Sequence, residues 1–146
     1  MTLLDSLLRK QRLQLAEHAR ELHEATRRRH YAEQAESAAG QAFREAQAYL
    51  SQQLFAESLC PQRLAAAKVD EQRRSIELAQ ARRTLKAATE SVESIEQALT
   101  RAQKHFDKLE ETRDERRVAA TEAAQLREWR DLDEWITTRH GVKEAS

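Results

Sequence analysis

Little in this sequence interrupts it. Among its 146 residues there are two glycines, one proline and one cysteine, so the residues that make turns or break helices are almost missing. Aromatic residues reach only 5%, too few for the core of an ordinary globular domain. A lone cysteine, Cys60, excludes a disulfide framework and a zinc quartet and fits a reducing compartment. An excess of one charge is lacking too. Lys+Arg and Asp+Glu both number 25, which argues against a nucleic-acid partner held by counterion release and against attraction to an anionic membrane surface. No stretch approaches the ~20 apolar residues needed to span a bilayer. The opening "MTLLDSLLRK" has an acid inside a short apolar run and no small-residue cleavage site, so no signal peptide is expected. These absences predict a cytoplasmic protein with no direct membrane insertion.

What is present is long-helix material: 34% charged and 40% hydrophobic residues, many of the latter alanine. From Thr2 to Glu57 only Gly40 stands in the way of a helix, at a cost of about 1 kcal/mol relative to alanine. It is read as a tolerated small residue at an exposed position. The first break is "SLCPQR". Pro61 cannot continue a preceding helix and pushes Cys60 out of helical geometry, yet it suits the first turn of a new one. The turn is placed at about 58–61 and the second helix at about 62–139, with Gly141 in its C-cap region. At 1.5 Å per residue the helices would measure roughly 80 and 115 Å, so they cannot be equal partners.

Heptad spacing says how they meet. Leu78, Leu85, Val92, Leu99 and Phe106 share one position, with Ala81, Ala88, Ile95, Ala102 and Leu109 three residues later, an a/d seam. The first helix answers with Leu8, Leu15, Leu22, Phe43 and Leu50 at a, and Leu4, Ala25, Ala32, Ala39 and Ala46 at d. Gln11, His18, Arg29 and Glu36 fall on the same seam. Folding back at the turn sets small residues against large: Ala25 on Val92, Ala32 on Leu85, Ala39 on Leu78. A register one heptad away is nearly as good. The expected fold class is all-α, a single two-helix antiparallel coiled-coil hairpin over residues 1–146 with the C-terminal helix overhanging.

In either register Thr2 falls opposite Glu115 to Glu122, so the last part of the second helix has no partner in the chain. There Leu126, Trp129, Leu132, Trp135 and Ile136 span about half the helix circumference, too wide for a face that needs no contact. Exposed clusters of this kind mark interaction sites, and tryptophan is a frequent anchor in them. The bland alternative is a tail that folds back or pairs with its own copy. At the other end Phe55, Leu59, Leu64, Val69 and Ile76 flank the turn. Phe55 and Leu64 are expected to close the hairpin. Val69 and Ile76 lie off the a/d register and are better placed for an external contact.

Other features are weighed and set aside. The basic "RRRH" at Arg27 to His30, with Arg73, Arg74, Arg82, Arg83, Arg116 and Arg117, is interleaved with glutamates and has no aromatic platform, so weakly ion-paired solvated faces are favoured over nucleic-acid binding. The five histidines show no HxxxH or His/Cys pairing that would hold a metal. There is no phosphate loop and no nucleophile elbow, so neither catalysis nor a cofactor is expected.

A chain of this size that begins "LLDSLLRKQRLQ" and ends in an overhanging helix with "REWRDLDEW", including the acidic pair Asp133 and Glu134, resembles the central-stalk family of type III secretion, whose flagellar members are called FliJ and whose injectisome members are called YscO or HrpO. The injectisome members are the preferred comparison. The family's members resemble the coiled coil of the rotary γ subunit of F-type ATPases. The resemblance implies a stalk whose termini enter a hexameric secretion ATPase, whose hairpin tip reaches the cytoplasmic ring of the export gate, and which in some members binds export chaperones. Trp129 and Trp135, with Leu126, Leu132 and Ile136, would then touch the ring's inner surface, and Arg127, Arg130, Asp131, Asp133 and Glu134 its charged loops. Phe55, Leu59, Val69 and Ile76 would be the candidates for the export gate. On this reading the protein is a monomer. Two other readings stay open: a coiled-coil scaffold that dimerises through its tail cluster, and a helical-hairpin chaperone.

Overall fold

The computed structural model describes residues 2–145, with side chains as far as Gly141. It is all-α: α1 spans Leu3–Leu54 and α2 spans Pro61–Ala145, and the two pack antiparallel as a hairpin, without a strand among the described residues. The helices contain 52 and 85 residues. The chain divides into two compact units, one formed by Gln14–Arg101 and one by the stretch up to Leu13 with the stretch from Ala102 on.

In the first unit the expected seam is the buried line. Ala25, Ala32, Ala46, Ala67, Leu78 and Val92 are buried, and Leu15, Leu22, Ala39, Phe43, Leu50, Leu64, Ala81, Leu85, Ala88, Ile95 and Leu99 are half-buried. Only Val92, at 1% exposure, approaches complete burial of a large side chain. That pattern follows from having two layers and no third: each a or d side chain is covered from one side only, and alanine is small enough to vanish beneath its neighbours. The polar seam residues His18, Arg29 and Glu36 are half-buried too, and His18 Nδ1 is enclosed without a hydrogen-bond partner. Two contacts fix the register. Glu36 meets Arg82 at 3.6 Å, and a Cβ on Gly40 would lie 3.8 Å from Leu78 Cδ1. Both match Ala39 opposite Leu78 and exclude a slip of one heptad. Gly40 is therefore buried against Leu78, not exposed as expected.

The turn differs from the sequence reading. α1 stops at Leu54, short of Glu57, and residues 55–60 link it to α2, which begins at Pro61 itself. Continuing α1 would bring Glu57 to the next a position, where there is no apolar group to bury. Pro61 loses nothing as the first helical residue, and the Leu64 N–H donates to the Cys60 carbonyl at 3.0 Å to start the ladder. Phe55, expected to close the hairpin, is 86% exposed, because the chain has already left the helix there. Leu64 is half-buried.

In the second unit Leu8 and Phe106 are buried, and Leu4, Gln11, Ala102, Leu109 and Arg113 are half-buried on the continued seam. The Arg12 guanidinium lies over the Phe106 ring, 5.7 Å from its centroid, again in the expected register. Thr2 caps α1. Its hydroxyl accepts from the Asp5 N–H at 3.2 Å and donates to the Asp5 carboxylate at 2.9 Å, while the Thr2 N–H donates to the same carboxylate at 3.2 Å. This reciprocal arrangement satisfies helix-end donors that would otherwise lack partners. The Thr2 hydroxyl, followed by the Thr2 backbone donor, holds the Asp5 carboxyl below its ordinary pKa. At the other end α2 passes through Gly141 without a left-handed residue, so Gly141 is not the expected C-cap.

Candidate partner-binding arm

Beyond Arg113 the seam of the second unit ends. Every described side chain from Asp114 to Gly141 is exposed, so this stretch of α2 is an arm with no covering element among the described residues. Counted on from Arg113 at position a, the a and d positions of the arm are Arg116, Ala120, Ala123, Arg127, Arg130, Glu134, Thr137 and Gly141. The large apolar residues lie elsewhere: Val118 and Leu132 at f, Trp129 and Ile136 at c, Trp135 at b and Leu126 at g. In a heptad, b, c and f lie opposite a and d. The apolar face has thus changed sides, from the one that meets α1 to the one turned away from it.

The exposure of this face is high throughout. Leu126 is 60% exposed, Trp129 67%, Leu132 51%, Trp135 57% and Ile136 45%. Arg139 covers one face of the Trp135 indole, its guanidinium 4.9 Å from the ring centroid, a cation–π contact that fixes the ring without hiding it. The charged residues assigned to the same site from sequence do not all share it. Asp133, at g, borders the tryptophan face. Arg127, Arg130 and Glu134 occupy the seam side, and Asp131, at e, flanks them.

At the turn end, Phe55 and Leu59 belong to the 55–60 link, and Val69 and Ile76 lie seven residues apart on the outer face of α2. Leu59, Val69 and Ile76 are exposed, at 59%, 65% and 60%. An exposed set that the sequence reading passed over is Leu3, Leu7 and Leu13 on α1. The signal was the leucine doublets Leu3–Leu4 and Leu7–Leu8: one leucine of each serves the seam, and the other must face out.

The basic runs are engaged locally. Arg73 reaches Asp70 at 3.0 Å and Arg74 reaches Glu77 at 3.2 Å, and Arg29 lies 3.7 Å from Glu33, in the one-turn spacing of exposed helix pairs. Among the described residues no group of three His, Cys, Asp or Glu is placed to hold a metal ion, and no helix is long and apolar enough to cross a membrane. The grooves along the helices are open to solvent. No family model, curated protein or solved structure matches the chain.

Proposed function

We propose that this protein is a non-enzymatic central stalk of a type III secretion apparatus, a cytoplasmic monomer that links the hexameric secretion ATPase to the export gate and stimulates ATPase and export. The observation that carries the reading is the arm, a helix of this hairpin that runs past its partner and exposes Trp129, Leu132, Trp135 and Ile136 on one side. A hydrophobic helix face without a cover in its own chain is a docking element. In the stalk reading the arm is the axle end seated in the ATPase ring. The paired helices act as the spacer, and the exposed Phe55, Leu59, Val69 and Ile76 meet the export-gate ring. Export chaperones are further candidate partners.

ATP hydrolysis by the secretion ATPase from the same source tests this, with the full-length protein, a version ending at Glu122, and Trp129→Ala/Trp135→Ala. The expected result is stimulation by the full chain that is lost in both variants while the hairpin keeps its helicity. If the full chain neither binds the ATPase nor alters its rate, the stalk assignment falls and the self-associating scaffold takes its place. Light scattering then decides, since a scaffold is a concentration-dependent dimer and a stalk a monomer.

A further inference from the structure

We infer that the arm's partner is a protein surface combining an apolar groove with a row of basic side chains, and that it docks on the side of α2 turned away from α1. This deepens the docking role given to the arm and rests on that role, but not on the identity of the apparatus.

The argument is one of sorted charge. From Glu111 to Ile136 the b, c and f positions hold the acids Glu111, Asp114, Glu115, Glu122 and Glu128, the uncharged Val118, Thr121 and Gln125, and then Trp129, Leu132, Trp135 and Ile136, with no Lys or Arg; the face is bounded by Lys108 before it and by Arg139, over the Trp135 ring, after it. The arginines of the same stretch, Arg113, Arg116, Arg127 and Arg130, all occupy a or d, with Arg117 at e. A helix that only needs solubility mixes its signs along each face, as Asp70, Arg73, Arg74 and Glu77 do. Here the arginines up to Arg130 keep to the seam side, which they share with Asp131 and Glu134, while the charges of the outer face from Glu111 to Glu128 are acidic only. The ion pairs in this part of α2 involve Arg113, 3.7 Å from Glu110 and 3.5 Å from Asp114. Glu111, Glu115 and Glu122 make no ion pair among the described residues. They line one shallow groove with Asp107, Asp114 and Val118, and the tryptophans follow at the same b and c positions further along the helix. An acidic row continuous with an apolar face is complementary to a basic row beside an apolar groove: the apolar part supplies residence time and the charges supply steering and orientation. A second copy docked in parallel through this face would set acid against acid. An anionic lipid surface would be repelled by it.

The two tryptophans of the chain both lie on this face, so tryptophan emission excited beyond the absorption of Tyr31 and Tyr49 reports on it alone. The probes are a synthetic amphipathic helix of leucine and lysine and a matched helix of leucine and glutamate, each titrated into the full-length protein. The leucine–lysine helix is expected to shift the emission to the blue, with Kd rising about tenfold or more from low to high salt; the leucine–glutamate helix is expected to leave it unchanged. In Glu111→Lys/Glu115→Lys/Glu122→Lys the preference reverses, and Glu115→Gln/Glu122→Gln weakens the leucine–lysine helix without gaining the other. Circular dichroism confirms that each variant stays helical; should the triple variant unfold, the Gln pair decides alone. Equal binding of both helices, binding of neither, or a wild-type dimer whose tryptophan emission is already blue-shifted overturns the inference. Loss of ATPase stimulation on truncation bears on the stalk reading only. A charge preference without ATPase binding would leave the arm's chemistry standing and remove the apparatus.

Discussion

From Leu78 to Arg113 the large apolar residues of α2 sit at a and d and are buried or half-buried; from Asp114 on they sit at b, c, f and g and, among the described side chains, are exposed. The composition barely changes, and both stretches mix aliphatic, acidic and basic residues in one unbroken helix. What changes is the phase. An apolar stripe that simply outlasted its partner would have continued at Ala120, Arg127 and Glu134. The stripe that is found instead faces away, so lengthening α1 would not cover it. The arm's face is thus separately specified, and between Glu111 and Ile136 it carries no lysine or arginine.

The sharpest way to break this contrast is a pair of aromatic truncations. Phe106→Ala removes a buried ring that also carries the Arg12 guanidinium and should cost about 3 kcal/mol, read by thermal or urea denaturation. Trp129→Ala removes a larger ring that is 67% exposed and should leave stability within about 0.5 kcal/mol. Equal losses would mean that the arm is covered in solution, by a copy or by its own chain.

A gain of stability sharpens the same contrast from the other side. Gln11 is a half-buried polar residue on the seam. Gln11→Leu should raise stability by about 1 kcal/mol through added apolar burial, whereas the same change at Gln125, on the arm's outer face, should only lower solubility. Gly40→Ala should add about 0.5 to 1 kcal/mol. The new methyl would sit 3.6 Å from Arg44 Nη1 and 3.8 Å from Leu78 Cδ1, ordinary contact distances. A loss instead of a gain would show that the helices need the glycine for close approach.

Much of this was legible in the sequence. The heptads at Leu78 to Leu109 and at Leu4 to Leu50, including the polar intruders Gln11, His18, Arg29 and Glu36, are the buried line of the structure, because a two-helix interface is specified by period alone. The overhang followed from the unequal lengths. The turn was placed late because Glu57 is a sound helix former; only its seam position argues against continuing there. Phe55 was drawn into the hairpin by its hydrophobicity, although the chain leaves the seam before reaching it. The charged residues of "REWRDLDEW" were grouped by proximity in sequence, and helical rotation separates Arg127, Arg130 and Glu134 from Trp129. The Thr2–Asp5 cap was visible as T-x-x-D ahead of an apolar run but went unread.

That cap gives the smallest effect and a signed one. The Thr2 hydroxyl and backbone N–H donate to the Asp5 carboxylate and hold its pKa below the ordinary carboxylate value. Because the folded pKa is the lower of the two, protonation favours the unhelical end. The cap's contribution is complete above about pH 4 and is lost as pH falls through the folded pKa. Carbon chemical shifts of Asp5 and of Leu3 and Leu4, followed by NMR from neutral to acid pH, should show the first turn of α1 loosening together with Asp5 titration while the Phe106 region is unchanged. In Thr2→Ala the Asp5 titration should move up toward its ordinary position, with the backbone N–H of residue 2 keeping part of the shift, and the first turn should already be loosened at neutral pH. An unchanged Asp5 titration in that variant would mean that the hydroxyl is not what holds the carboxylate, leaving the backbone N–H of residue 2, which the variant keeps, as the principal cause.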